Sequence, residues 1–206
     1  MNGYPDLLVL DLEAAPARHG GNGNRLRTRD LNHISRSVLS VASVLQITGK
    51  GESVELRTFE GEEIEILQDV DQMLAAKPDH ELVTFNGTHF DLPLLRIRSI
   101  VHHLFNLDSI GSLRGRTHHD VMKLFPGLRS LAGCSDLLGL DIDVRTMTQR
   151  QQCEADVVRT CLVWFHFAAL SRRDGKYLLT AWQALSRNLG PAEFPHLASL
   201  FEAIDP

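Results

Sequence analysis

The chain has 206 residues and a mass of 23.0 kDa, enough for one domain with a sizeable core. Hydrophobic residues make up 43% and charged residues 23%, which excludes a disordered chain, a collagen-like repeat and a coiled coil. A formal charge of −5 and a pI near 6.0 exclude a global basic field, so any contact with nucleic acid has to come from a local patch. Cys134, Cys153 and Cys161 are an odd number without CxxC spacing. Neither a disulfide framework nor a zinc ribbon is expected from them, and a reducing, cytoplasmic setting is. The apolar run at residues 7–10 has no basic flank and is cut by Asp11, so it does not read as a signal peptide. The longest apolar stretch, residues 157–170, contains Arg159 and His166 and is too short to span a bilayer, so a soluble protein without a membrane partner is expected.

In chain order, residues 7–12 form a nearly continuous apolar run, the pattern of a central strand buried on both faces. Residues 38–48 and 54–59 alternate and read as strands, with Gly49, Lys50 and Gly51 between them as a hairpin signal for an antiparallel pair. Helical spacing at Ile64, Ile66, Leu67, Val70 and Leu74 predicts a helix over 63–76. A short strand at 82–85 ends in Asn86-Gly87, and a helix follows over about 91–104. The second half reads as helices over 130–138, 147–172, 176–189 and 195–204, with Gly139, Gly175 and Gly190-Pro191 as stop signals. Strands first, with interleaved and trailing helices, indicate an α/β layered domain. Residues 14–37 hold Gly20, Gly21 and Gly23 with Arg18, Arg25, Arg27, Arg29 and Arg36, and read as a solvated loop first and a phosphate-touching basic arm second.

Asp11 and Glu13 stand at i and i+2 on the first strand, so both side chains leave the same face of the sheet. A central strand rarely gives two same-face positions to acids unless a cation meets them. Asp91 sits between the Asn86-Gly87 turn and a helical pattern containing Pro93, where an aspartate serves as an N-cap. It also lies past the carboxyl end of a strand, where ligands of open α/β sheets gather. On the 147–172 helix the apolar face centres on Val158, Cys161, Leu162 and Phe165. Periodicity therefore makes Asp156 a solvated charge and Glu154 the buried acid, and does not choose between them as functional groups.

Three segments carry a resemblance. Val9-Leu10-Asp11-Leu12-Glu13, Thr84-Phe85-Asn86-Gly87-Thr88-His89-Phe90-Asp91-Leu92-Pro93, and Cys153-Glu154-Ala155-Asp156-Val157-Val158 with Thr160 resemble the three motifs of the DEDD (DnaQ-like, ribonuclease H-like) 3′→5′ exonucleases. The phrase around Asp91, with His119-Asp120-Val121-Met122 and the helix at 130–139, is most similar to the bacterial branch related to the exonuclease domain of DNA polymerase B. The resemblance spans about residues 6–170. It implies a ribonuclease H-like mixed sheet flanked by helices, with Asp11, Glu13, Asp91 and Asp156 as catalytic ligands of two Mg²⁺ or Mn²⁺ ions. Leu12, Asn86, Phe90 and Gln152 become the substrate contacts. Two divalent ions balance about four negative charges, and hard oxygen ligands suit magnesium. The implied activity is 3′→5′ hydrolysis of single-stranded DNA or RNA. The resemblance also selects Asp156 over Glu154.

One departure stands out. The superfamily places a tyrosine four residues before the last aspartate, or a histidine five before it, as general base, and here those places hold Gln152 and Gln151. Glutamine cannot take a proton, and losing a general base typically costs about 10²–10⁴ in rate. The alternative is therefore a catalytically weak nucleic-acid-binding module. His89, His102, His103, His118 and His119 are candidate replacement bases. His118-His119-Asp120 otherwise reads as a solvated or phosphate-side turn, and Arg114 and Arg116 as surface charge first and phosphate contacts second. Residues 1–206 are expected to form one domain, with a core over about 6–173 and a helical extension over about 174–206.

Overall fold

The computed structural model describes residues 5–16, 34, 37–48, 53–125, 127, 129–140 and 142–202. The glycine hairpin at 49–51 and nearly all of the arginine-rich 17–36 segment lie outside the described residues. Strands β1 (Leu7–Pro16), β2 (Ser37–Ile47), β3 (Val54–Glu60), β4 (Glu81–Thr84) and β5 (His118–Asp120) form one sheet in the order β3-β2-β1-β4-β5. β2 is antiparallel to both neighbours, and β4 and β5 run parallel with β1. A mixed sheet in this order, with its second strand reversed, is the ribonuclease H-like arrangement the sequence led us to expect.

The continuous apolar run of β1 is explained by its place at the centre. Leu7 and Val9 pack with Val83, Val157, Val158, Cys161 and Leu162 on one face. Leu8, Leu10 and Leu12 pack with Ile66, Leu67, Leu94 and Leu95 on the other. The second face is covered by α1 (Glu63–Ala75) and α2 (Asp91–Val101). The short helices α3 (Asp108–Gly111) and α4 (Leu131–Leu137) follow. The first face is covered by α5 (Gln149–Arg172), α6 (Gly175–Asn188) and α7 (Ala198–Glu202). Tyr177, Trp182, Leu185, Leu197 and Leu200 join the same buried cluster as Trp164 and Phe165, so the C-terminal helices pack directly on the core.

Two boundaries differ from the glycine and proline signals. α5 ends at Arg173, which takes the left-handed conformation (φ 54°), and Gly175 opens α6 behind the N-cap Asp174 instead of closing α5. The last helical pattern begins as a 3₁₀ turn at Pro195–Leu197 before α7. The segment read as a solvated turn is β5, whose Asp120 is buried. Three polar residues carry too little periodicity to announce a strand, and parallel pairing to β4 supplies what the sequence pattern lacks.

Candidate functional site

The site begins where β1 outruns its parallel neighbour. β4 pairs with β1 along Leu7–Val9 only, and the register between β1 and β2 shifts between Glu13 and Ala14. Asp11 and Glu13 share the parity of Leu7 and Val9, so they leave the sheet on the α5 side. Leu12 points the opposite way and is 4% exposed within the other core. The α5 helix comes down onto this stretch and is tied to it by the Cys153 thiol, which donates to the Asp11 carbonyl at 3.4 Å. That contact places Asp156 against the strand. One carboxylate oxygen each from Asp11, Glu13 and Asp156 lie within 4.8 Å of one another.

Asp91 arrives from the other layer, at the start of α2, and is 2% exposed. It does not act as a cap: Phe90 occupies the N-cap position without a side-chain capping bond. Its carboxylate takes hydrogen bonds from the backbone of Leu12 and from its own. Oxygen atoms of Asp11 (Oδ2) and Asp91 (Oδ1) are buried with no hydrogen-bond partner.

The turn that presents Asp91 is held from below. Asn86 is left-handed (φ 63°), and its N–H donates to Asp120 Oδ1 at 2.8 Å, while Thr88 N–H donates to Asp120 Oδ2 at 3.1 Å. Gly87 N–H donates to Thr84 Oγ1 at 3.1 Å, and a Cβ on Gly87 would collide with the Thr84 side chain. Lys123 reaches Thr88 Oγ1 at 2.9 Å. Phe90 is half-buried against the α1/α2 core. Asp120 is not marked as a site residue by the sequence, because HHD carries the pattern of a turn.

Burial and mutual repulsion work against ionisation throughout the cluster. Burial pushes Asp11 well above the ordinary range, and the charges of Asp91, Asp156 and Glu13 push it further. Burial, resisted by the backbone hydrogen bonds and reinforced by Asp120 and Glu13, takes Asp91 up to about 8. Glu13 rises through burial and the Asp156 charge, against a hydrogen bond from Gln149 at the start of α5. Asp156 rises through burial in spite of the attraction of Arg159. An all-oxygen set with orphaned buried oxygens and suppressed ionisation fits hard divalent cations.

The rival acid is accounted for. Glu154 is buried as periodicity indicated, but it accepts from Arg150 Nε at 2.8 Å and lies 3.0 Å from His196 Nε2, so it fastens the C-terminal segment to α5. The two glutamines at the base positions are also committed. Gln151 Oε1 accepts from the Thr148 N–H at 3.0 Å as half of a capping box, and Gln152 Nε2 donates to the Val144 and Met147 carbonyls at 3.2 and 3.0 Å. Of the five candidate histidines, His102 meets Glu63, His103 lies tilted beside Phe105, His118 meets Thr84 and His119 meets Glu81. His89 is exposed on the turn itself, two residues before Asp91. Arg116 is no free surface charge, since its Nη2 donates to the Leu74 carbonyl at 2.8 Å; the Arg114 side chain lies outside the described residues. Arg159, which the sequence reading passed over, donates Nη1 to Asp156 Oδ1 at 2.9 Å. Its i+3 spacing from Asp156 on a helix was the available signal.

The mixed five-stranded sheet carries its acidic group on the stretch of β1 that extends beyond the paired part of β4. Residues 30–110 match the family described as "Predicted 3'-5' exonuclease related to the exonuclease domain of PolB". The likeness read from the sequence over about residues 6–170 is to this same family; the family match itself covers about two fifths of the chain, taking in the Asn86 turn and Asp91 but not Asp11, Glu13 or Asp156. No curated protein matches. Among solved structures, the family B DNA polymerase from the hyperthermophilic archaeon Pyrobaculum calidifontis is similar at 14% identity and a TM-score of 0.48, over 98% of this chain and 27% of that one. The chain thus spans about a quarter of that polymerase's length. Among the described residues no helix is long and apolar enough to cross a membrane.

Proposed function

We propose that the chain is a divalent-metal-dependent 3′→5′ exonuclease acting on single-stranded DNA or RNA, built as one domain. The observation that carries the reading is the convergence of Asp11, Glu13 and Asp156 within 4.8 Å, with Asp91 buried against the same strand. These four residues would hold two Mg²⁺ or Mn²⁺ ions, with Asp91 joining the group of three from beside it. Bound there, the ions would supply Lewis-acid activation of a water and charge stabilisation at phosphorus. Asp11 and Glu13 offer oxygens from one strand, Asp156 closes the set from α5, and Asp91 from α2. The Asn86–Phe90 turn, which projects beside Asp91, is the surface against which the 3′ nucleotide rests.

Gln151 and Gln152 neither take a proton nor face free, because both side chains hold backbone groups. That favours a slow enzyme, and at its limit the second reading, a nucleic-acid-binding module that retains the site. His89 is exposed, as is His103, and stands two residues before Asp91, which makes it the candidate replacement base. A 5′-labelled single-stranded oligonucleotide tests both readings. Laddering from the 3′ end with Mn²⁺, weaker with Mg²⁺, and lost with EDTA or in Asp11→Asn, supports the exonuclease. An intact oligonucleotide that is nevertheless retained by the protein supports the second reading, and no binding at all ends both.

A further inference from the structure

Arg159 stands on the inner side of Asp156. Its side chain is 5% exposed while that of Asp156 is 30% exposed, so the cation lies inside and the carboxylate between it and the outside. Two elements fix the guanidinium: Nη1 donates to Asp156 Oδ1 at 2.9 Å within α5, and Nε donates to Ser135 Oγ of α4 at 3.1 Å. Ser135 is fully buried and its hydroxyl is itself oriented by donation to the Leu131 carbonyl at 2.8 Å. A buried guanidinium held this way has little freedom to withdraw when another cation approaches.

Resting on the proposed metal site, we infer that Arg159 is a resident counter-cation of the carboxylate cluster, allowing the site to form without metal and holding down its affinity for divalent ions. Asp156 would serve two cations, with Oδ1 engaged by Arg159 and the carboxylate also facing Asp11 and Glu13. A fixed positive charge one carboxylate away relieves repulsion among the acids when the site is empty. The same charge opposes a divalent ion when the site is filled. An arginine that merely braced Asp156 would help the ion instead, so the two roles predict opposite signs.

The test compares the unmodified protein with Arg159→Met, Arg159→Gln and Arg159→Lys by thermal melting with and without Mn²⁺ and by calorimetric Mn²⁺ titration. Neutral variants are expected to melt lower than the unmodified protein without metal. They should gain more from Mn²⁺ and bind it on the order of tenfold more tightly. Arg159→Lys keeps the charge and is expected to stay within about threefold of the unmodified affinity. A neutral variant that folds only when Mn²⁺ is supplied is the same result in its extreme form. Weaker or unchanged Mn²⁺ binding in the neutral variants, or a chain that stays unfolded in millimolar Mn²⁺, overturns the inference. An unmodified protein that does not respond to Mn²⁺ overturns the metal site itself, which separates the two failures.

Discussion

Two acids two residues apart on one helix do opposite work. Glu154 is enclosed by Arg150 and His196, whereas Asp156 meets Asp11 and Glu13 on one side and Arg159 on the other. Glu154→Gln is expected to cost about 1–3 kcal/mol, since a buried partner group is left without its charge, yet to keep the Mn²⁺-induced rise in melting temperature. Asp156→Asn should abolish that rise. Paired melts with and without Mn²⁺ check both, and a lost metal response in Glu154→Gln would exchange the two roles. Sequence alone did not separate them because α5 is buried around most of its circumference, including Cys153, Glu154, Ala155, Val157, Val158, Arg159 and Thr160. An apolar-face argument needs a helix with a wet side. Asp11 and Glu13 were legible for the opposite reason, since strand parity admits one geometry.

At the level of elements, the strands were read from their apolar patterns, while β5 was not. Its contribution is a polar one: Asp120 gathers the Asn86 and Thr88 amides and so shapes the turn from which α2 begins. Such a clamp joins residues more than thirty positions apart, and nothing local in the sequence announces it. Asp120→Ala should lower stability by about 3 kcal/mol as charge-accepted hydrogen bonds are lost. It should also weaken Mn²⁺ binding by unsettling Asp91. Denaturant melts and Mn²⁺ titration measure the two effects, and full Mn²⁺ affinity would show that Asp91 is held without the clamp. The base positions show a similar limit. Gln151 and Gln152 are recognisable as departures in sequence, but their capping and carbonyl bonds appear only once α5 is seen to start at Gln149.

For the whole molecule, the cluster makes stability depend on pH in an unusual direction. Asp11 and Asp91 keep their protons in the folded state at pH values where the unfolded chain has released them. The folded state therefore binds more protons between the ordinary aspartate value, about 4, and the value of about 8 reached by Asp91. Raising pH through that window removes stability from the metal-free protein. Glu63 works in a separate, more acidic window: burial raises it, but Arg98, His102 and the Leu39 N–H together bring it below the usual glutamate value, so its contribution is lost as pH falls. Lowered values at His80, His118 and His196 oppose the trend below about pH 7. Metal-free melting temperature is therefore expected to fall from pH 7 to pH 8, and saturating Mn²⁺ to flatten or reverse the slope, because ions bound to the folded state stabilise it by mass action. A metal-free curve that rises across this range would contradict the suppressed ionisation of the cluster.

The Cys153 thiol on the Asp11 carbonyl joins positions 142 residues apart. A chain emerging from the ribosome completes β1, the Asn86 turn and α2 long before α5 exists. Until then Asp11 and Glu13 face solvent with no helix over them, and Asp156 has not been made. Whatever chemistry the site performs is thus withheld from the nascent chain, and fragments truncated before Gln149 carry no assembled cluster.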